Sequence, residues 1–140
     1  MEYRVNQPIS VEQFIHLLAQ TSLGERRPLN DHTLIQGMLD HTDLLVTAWD
    51  GDSLVGVARS VTDFHYCCYM SELAVSKKVQ SQGLGTQLII ETFKQLTPGC
   101  KLNLLAAPDA VKYYPHIGFT PHHSAWILAD LSQIQSPQHE

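Results

Sequence analysis

The sequence predicts an α/β domain of the α+β kind, built on one mixed central sheet. Three observations carry that expectation. Apolar residues recur at helical spacing in the first forty residues, then form three successive extended segments between Leu44 and Val75 with turn signals between them. Helical spacing returns after Gly85, and short extended segments return after Gly99. The resulting order, β-α-α-β-β-β-α-β-α-β, mixes hairpin connections with a helical crossover, which a mixed sheet accommodates.

Taken in order, Tyr3 to Asn6 reads as a short first strand. Ser10-Val11-Glu12-Gln13 has the spacing of a capping box, and Phe14, Leu17 and Leu18 follow on one helical face. Thr21 to Pro28 is a connection that holds Gly24 and the pair Arg26-Arg27. Asn30 or Asp31 can cap a second helix, with Leu34, Ile35, Met38 and Leu39 on its apolar face and Gly37 as a weak point inside it. Leu44 to Trp49 is strand-like, Asp50-Gly51-Asp52 supplies a tight turn, and Leu54 to Thr62 returns as the second arm. Asp63-Phe64-His65 makes the next turn, and Tyr66 to Val75 is a long third strand. Ser76 to Gly85 is polar. Leu84, Leu88, Ile89, Phe93 and Leu96 then mark a helix that Pro98-Gly99 stops. Lys101 to Ala106 is a strand, Pro108 can open a helix that runs towards His116, and Gly118-Phe119 begins a final strand region continuing from Ser124 to Leu131.

Length and composition set the frame. Residues 1–140 suffice for a single domain with a real core, and only 136–140 read as a loose tail. Hydrophobic residues make up 44% and charged residues 16%, so the chain has enough apolar surface to fold. Nine Lys and Arg against fourteen Asp and Glu give a net charge of −5, which argues against nucleic acid or an anionic membrane as a partner. That charge leans weakly towards cationic ligands. No apolar run approaches the length that crosses a bilayer, and Met1-Glu2-Tyr3-Arg4 lacks the apolar core of a signal peptide. Three cysteines, two of them the neighbours Cys67 and Cys68, do not make a disulfide framework, so a reducing cytoplasm is the expected compartment. The eight histidines fall in no metal-binding spacing. His122-His123 would point to opposite faces of a strand, and no metal is expected.

The chemistry lies between Leu73 and Thr86. There a strand ends, a polar loop follows, and a helix opens just after Gly83 and Gly85. The N-terminus of a helix presents unpaired N–H groups and a partial positive charge, and glycine lets a ligand approach the backbone closely. The combination suits a phosphate group. A Walker A loop would need Lys after its second glycine, where Thr86 stands. A dinucleotide fingerprint would need a third glycine, where Leu88 stands.

Gln80-x-x-Gly83-x-Gly85 instead resembles the Gln/Arg-x-x-Gly-x-Gly/Ala signature of the GCN5-related N-acetyltransferases (GNAT). Further on, Ala110-Val111-Lys112-Tyr113-Tyr114-Pro115-His116-Ile117-Gly118-Phe119 resembles the family's Ala-x-x-Phe-Tyr-x-x-x-Gly-Phe segment, with Tyr113 in place of Phe. Leu54-Val55-Gly56-Val57-Ala58-Arg59 is similar to its strand upstream. The likeness runs from about Tyr3 to Leu131. Ala107 stands where many members carry Asn, and Pro115 where Glu is commoner; the first change removes one contact to the cofactor.

The resemblance implies the GNAT fold, with about six to seven strands flanked by about four helices. It implies acetyl-CoA as cosubstrate and direct transfer of acetyl to a primary amine in a ternary complex, the acceptor most simply a small molecule. Protein N-termini or lysines, or a CoA-binding module without turnover, are the alternatives. Homodimers are frequent in the family. By the same resemblance the backbone of Leu73, Ala74 and Val75 would pair with the pantetheine arm. The loop Gln80, Ser81, Gln82, Gly83, Leu84, Gly85 and Thr86 would take the diphosphate. Gln82 stands where the family often has Lys or Arg, so Lys77, Lys78 or Lys112 would supply charge.

Tyr114 matches the tyrosine that faces the departing thiolate, and Tyr113 reads as core. An alkyl ammonium of pKa about 10 must lose a proton before it attacks. Glu72, on the central strand beside the acetyl position, is the candidate base or acceptor contact. Asp63, His65 and Tyr66 lie at the turn leading into that strand. Arg26, Arg27 and Tyr69 are the candidate acceptor contacts.

Overall fold

The structure is a computed structural model that describes residues 1–135. Strand β1 (Glu2–Val5) leads into α1 (Val11–Ala19) and α2 (His32–Asp40). A meander follows: β2 (Leu44–Asp50), β3 (Ser53–Thr62) and β4 (Cys67–Val75). Then come α3 (Leu84–Phe93), β5 (Lys101–Asn103) and the single turn α4 (Tyr113–His116). The five strands lie in sequence order, all antiparallel except that β5 runs parallel to β4.

The sheet is covered on both faces, as the alternation in β2 shows. Leu44, Val46 and Ala48 pack towards α3 with Leu84, Leu88 and Ile89. Leu45, from the same strand, packs with Phe14, Leu17, Leu18 and Ile35 of α1 and α2. Both helices start where the sequence signals them. Ser10 and Gln13 close the capping box on α1, and the Asp31 carboxylate accepts the Leu34 N–H at the start of α2. No helix among the described residues is long and apolar enough to cross a membrane.

Three expectations need correction. The sheet has five strands among the described residues, not six or seven. The missing strands are those expected from Gly118-Phe119 and from Ser124 to Leu131. That stretch is irregular, with Trp126 91% exposed and Ile127 74% exposed. Its alternation could become a strand only against a partner edge, and β5 offers three residues where Lys101 to Ala106 was expected. The helix expected from Pro108 to His116 is divided into a 3₁₀ turn, Pro108–Ala110, and the short α4.

The β3–β4 turn is held by one exposed carboxylate. Asp63 Oδ1 accepts the N–H groups of His65, Tyr66 and Cys67 at 3.0, 2.8 and 3.1 Å. Those bonds, Tyr66's foremost, lower its pKa from 3.8 to about 2. A depressed carboxylate contributes stability above its unfolded pKa and loses it as pH falls through the folded one. Urea midpoints of wild type and Asp63→Asn should therefore differ at pH 6 and converge as pH falls towards about 2. A constant difference across that range would assign the effect to something other than ionisation.

Candidate active site

The parallel pair β4–β5 is joined only at its start, with Cys67, Cys68 and Tyr69 opposite Lys101, Leu102 and Asn103. Beyond Tyr69, β4 runs on to Val75 while β5 ends, and the two diverge. The backbone of β4 faces this opening. Ser76 N–H donates to Val55 O at 2.8 Å, and Gly56 lies opposite Val75. In the alternation of an antiparallel ladder, Leu73 and Val75 then aim their N–H and C=O groups away from β3, into the opening. Their side chains are half-buried against the α3-side core, and Ala74 is buried on the other face. The register slips between Arg59 and Ser60, so Ser71 has no cross-strand partner of its own. Such a bulge turns the strand and re-aims its groups.

A cavity of about 190 Å³ sits beside this opening, walled by Ser22, Arg26, Arg27, Tyr69, Leu73 and Tyr114 among others. A larger cleft of about 580 Å³ runs outside β5 between Leu102, Leu105, Phe119 and Trp126. Tyr69 and Tyr114 line both.

At the far end of β4 the chain enters the glycine loop. Ser76 is buried, donates to Gln20 Oε1 at 2.9 Å and accepts the Lys78 N–H, so the start of the loop is anchored. Gln80 Nε2 donates to Val75 O at 3.3 Å, which ties the loop back to the strand end. Ser81 and Gly83 have φ of 67° and 80°, in the left-handed region. Gly83 is the N-cap of α3 with no side chain over it, so the first-turn N–H groups of Leu84, Gly85 and Thr86 look out of the helix end. The Leu84 side chain itself is buried in the α3 packing. Ser81, Gln82, Lys77, Lys78 and Lys112 are exposed around this end.

Tyr113 completes it in a way the sequence reading missed. Its hydroxyl hydrogen-bonds Thr86 Oγ1 at 2.9 Å and lies 3.1 Å from where a Cβ on Gly85 would stand. The ring is 36% exposed, so it is no core residue. The signal was present in the sequence, as an extra hydroxyl where the family has Phe. Tyr114 is the more buried of the two. It packs edge-to-face on Tyr113 and on Phe119, with ring centres 5.3 and 5.2 Å apart. Burial first, and Tyr113 second, push its phenol pKa above 10.0.

Glu72 is 1% exposed and lines neither cavity. Oε1 accepts from Arg59 Nε; Oε2 accepts from Arg27 Nε at 2.7 Å and from Ser71 Oγ at 2.9 Å. Arg59, which the sequence reading also missed, reaches on to Met38 O and Thr42 Oγ1. Arg27 Nη2 donates to Ser71 O at 2.8 Å and Nη1 to Arg26 O at 3.1 Å. The carboxylate is thus enclosed by guanidiniums, and it fixes Arg27 in the cavity wall. Arg26 is exposed beside it, with no hydrogen bond or ion pair from its side chain among the described residues. Asp63, His65 and Tyr66 line neither cavity. The site therefore brings together the β4 end, the loop, Tyr69, Tyr114, Arg26 and Arg27, and keeps the Glu72 carboxylate behind them.

Three comparisons bear on this arrangement. The family model described as "Acetyltransferase (GNAT) domain" matches residues 21–129. The protein "Uncharacterized N-acetyltransferase ycf52" from Gracilaria tenuistipitata var. liui is 32% identical over 68 residues, which is 47% of this chain and 37% of that protein's length. Among solved structures, SA2161 from meticillin-resistant Staphylococcus aureus superposes with a TM-score of 0.73 at 20% identity, over 92% of this chain and 99% of that one. The aminoglycoside N-acetyltransferase AAC(6')-Iy, solved in complex with CoA, gives a TM-score of 0.68 at 17% identity, over 93% and 95% of the two chains. At these identities the two structures speak to the fold.

Proposed function

The chain belongs to the GNAT acetyltransferase-domain family, and from that premise we propose that it transfers the acetyl group of acetyl-CoA to a primary amine of a small molecule. One observation carries the reading: the loop before the uncapped α3 N-terminus is tied to the end of β4, Leu73 and Val75 aim their backbone groups away from β3, and Leu73 and Tyr114 line a small cavity. The loop and the cavity suit the two ends of an acyl-CoA. The N–H groups at Gly83 to Thr86 take the diphosphate, with Lys77, Lys78 and Lys112 near enough to add long-range attraction. The amides of the pantetheine arm add to β4 as a strand would, through Leu73 and Val75. No Asn stands at Ala107, which lines the cavity, so no side-chain amide contributes there.

The Leu73 N–H, on the residue of the strand end that lines the cavity, would stabilise the oxyanion that forms when the amine attacks the thioester carbonyl, with Val75 left to the pantetheine arm. The carbon–sulfur bond then breaks and the electron pair leaves on sulfur. Tyr114 donates a hydrogen bond or its proton to that thiolate. A phenol whose pKa is raised keeps its proton to higher pH, so it stays a donor throughout the neutral range. In this reading Glu72 is a positioning residue that holds Arg27. The amine proton leaves through water in the cavity beside Tyr69.

Tyr114→Phe keeps the ring and removes the donor. The expected result is a kcat lower by about ten-fold or more with acetyl-CoA affinity little changed. Ionisation of Tyr114 should not appear as an alkaline limb below pH about 10. Equal rates for the two proteins, with chemistry limiting, would return Tyr114 to a packing role.

Release of free CoA thiol across a panel of amines tests the function as a whole. Acetyl-CoA should raise the melting temperature, and thiol should appear only when a suitable amine is added. A raised melting temperature with no amine-dependent release would favour a CoA-binding module without turnover.

A further inference from the structure

We propose that the acceptor amine carries an anionic group, a carboxylate or a phosphate, and that Arg26 holds it; the inference rests on the acetyl-transfer reading above. The observation is the sign of the cavity wall. Among the described residues Arg26, Arg27 and Ser22 line it, and no Asp or Glu does. The Glu72 carboxylate is behind the wall and already serves Arg27 and Arg59. Arg27 and Arg59 share the Glu72 carboxylate and Arg26 has no ion pair among the described residues, so the charged groups that line the cavity are positive although the whole chain is at −5. The field at a site is set by the groups that face it and by their burial, so the net charge of the chain does not choose the ligand.

The two arginines divide the work. Each of Arg27's three nitrogens is committed: Nε to Glu72, Nη1 to Arg26 O and Nη2 to Ser71 O. Arg27 is therefore fixed in place, and its bond to Arg26 O also fixes the backbone that carries Arg26. The Arg26 side chain is the uncommitted guanidinium of the wall among the described residues. Guanidinium matches carboxylate and phosphate oxygens in a planar, two-pronged fashion.

The same wall answers a need of the chemistry. Among the described residues no carboxylate lines the cavity to act as base. An ammonium brought beside Arg27 is disfavoured relative to the neutral amine, because a like charge opposes the charged form. An acceptor with one anion on Arg26 and its amine near Arg27 is thus bound and brought closer to its reactive state together. A diamine would place two positive charges against the wall with nothing to offset them.

Matched pairs test this. Thiol release would be measured for α-amino acids against their carboxamides, for phosphoethanolamine against ethanolamine, and for putrescine. For at least one pair, kcat/KM should be about ten-fold or more higher for the anionic member. The pair that shows it separates carboxylate from phosphate. Arg26→Gln should bring that ratio near one, mainly through KM, with acetyl-CoA affinity within about two-fold, and Arg26→Lys should restore part of it. No pair that favours its anionic member, a preference for putrescine over every anionic amine, or a ratio that survives Arg26→Gln would overturn the proposal. Should no amine be turned over, calorimetry with CoA present would compare N-acetyl amino acids and N-acetylphosphoethanolamine with their uncharged counterparts. Tighter binding of an acid that Arg26→Gln abolishes supports Arg26 as the anion site. No preference, or no measurable binding of any acid, overturns it. Failure of the acetyl-transfer reading looks different: acetyl-CoA then fails to bind, or binds without thiol release for any amine.

Discussion

Glu72→Ala should lower the stability of the folded chain by about 3–5 kcal/mol, the cost of leaving buried charge without its partner. The carboxylate is 1% exposed and its two ion-pair partners, Arg59 and Arg27, have side chains 8% and 22% exposed. Removing it strands Arg59: Met38 O and Thr42 Oγ1 still accept from Nη1, but Nε loses its acceptor and the charge its partner. A domain of this size has only about 5–15 kcal/mol to lose. Denaturant midpoints measure the effect. A double change, Arg59→Met with Glu72→Met, should recover part of the loss, because a buried pair replaced by apolar groups of similar volume is often tolerated. A stable Glu72→Ala protein whose kcat/KM loses its acidic limb would instead restore Glu72 as the base.

The second large effect concerns Gly83. Nothing lies within 4 Å of a Cβ built there, so Gly83→Asp has space, but φ is +80° and the residue caps α3. The left-handed conformation costs a residue with a Cβ about 1–2 kcal/mol, less for Asp than for most. The carboxylate would stand at the helix end that is to receive the diphosphate. Repulsion discounted for solvent, about 2–3 kcal/mol, corresponds to a loss of acetyl-CoA affinity on the order of 100-fold. Gly83→Ala separates the two contributions, since it carries the backbone strain without the charge. Titration calorimetry should rank wild type, Gly83→Ala and Gly83→Asp in falling affinity. Equal affinity for all three would remove the diphosphate from this loop.

What the sequence made legible follows from how local each signal is. Capping at Ser10 and Asp31, the tight turn at Gly51 and the glycine loop at Gly83 are written in neighbouring residues, and all appear where they were read. Periodicity identified the faces of α1 and most of β2 to β4. It failed at Ser124 to Leu131, where alternation cannot say whether an edge is available to pair with. It also left Leu34 on an apolar face that the structure leaves 47% exposed. The site divides the same way. Loop and strand-end residues could be nominated because the motif is contiguous. The Arg27–Glu72–Arg59 cluster joins residues far apart in the chain, and a lone carboxylate on a strand reads equally as a base or as an anchor. Only the partners decide between those roles. Tyr113 was misread as core because Phe is usual there, although its hydroxyl was the feature that sent it to Thr86.

Acetyl-CoA should lie along the β4 end with its diphosphate on the α3 N-terminus and its sulfur at Tyr114. A crystal structure with CoA bound tests it most directly. Diphosphate oxygens should lie on the N–H groups between Gln80 and Thr86, pantetheine amides should pair with the Leu73 and Val75 backbone, and the sulfur should be within hydrogen-bonding reach of the Tyr114 hydroxyl. CoA seated elsewhere, for instance in the cleft outside β5 with the loop at Gly83 empty, would contradict it.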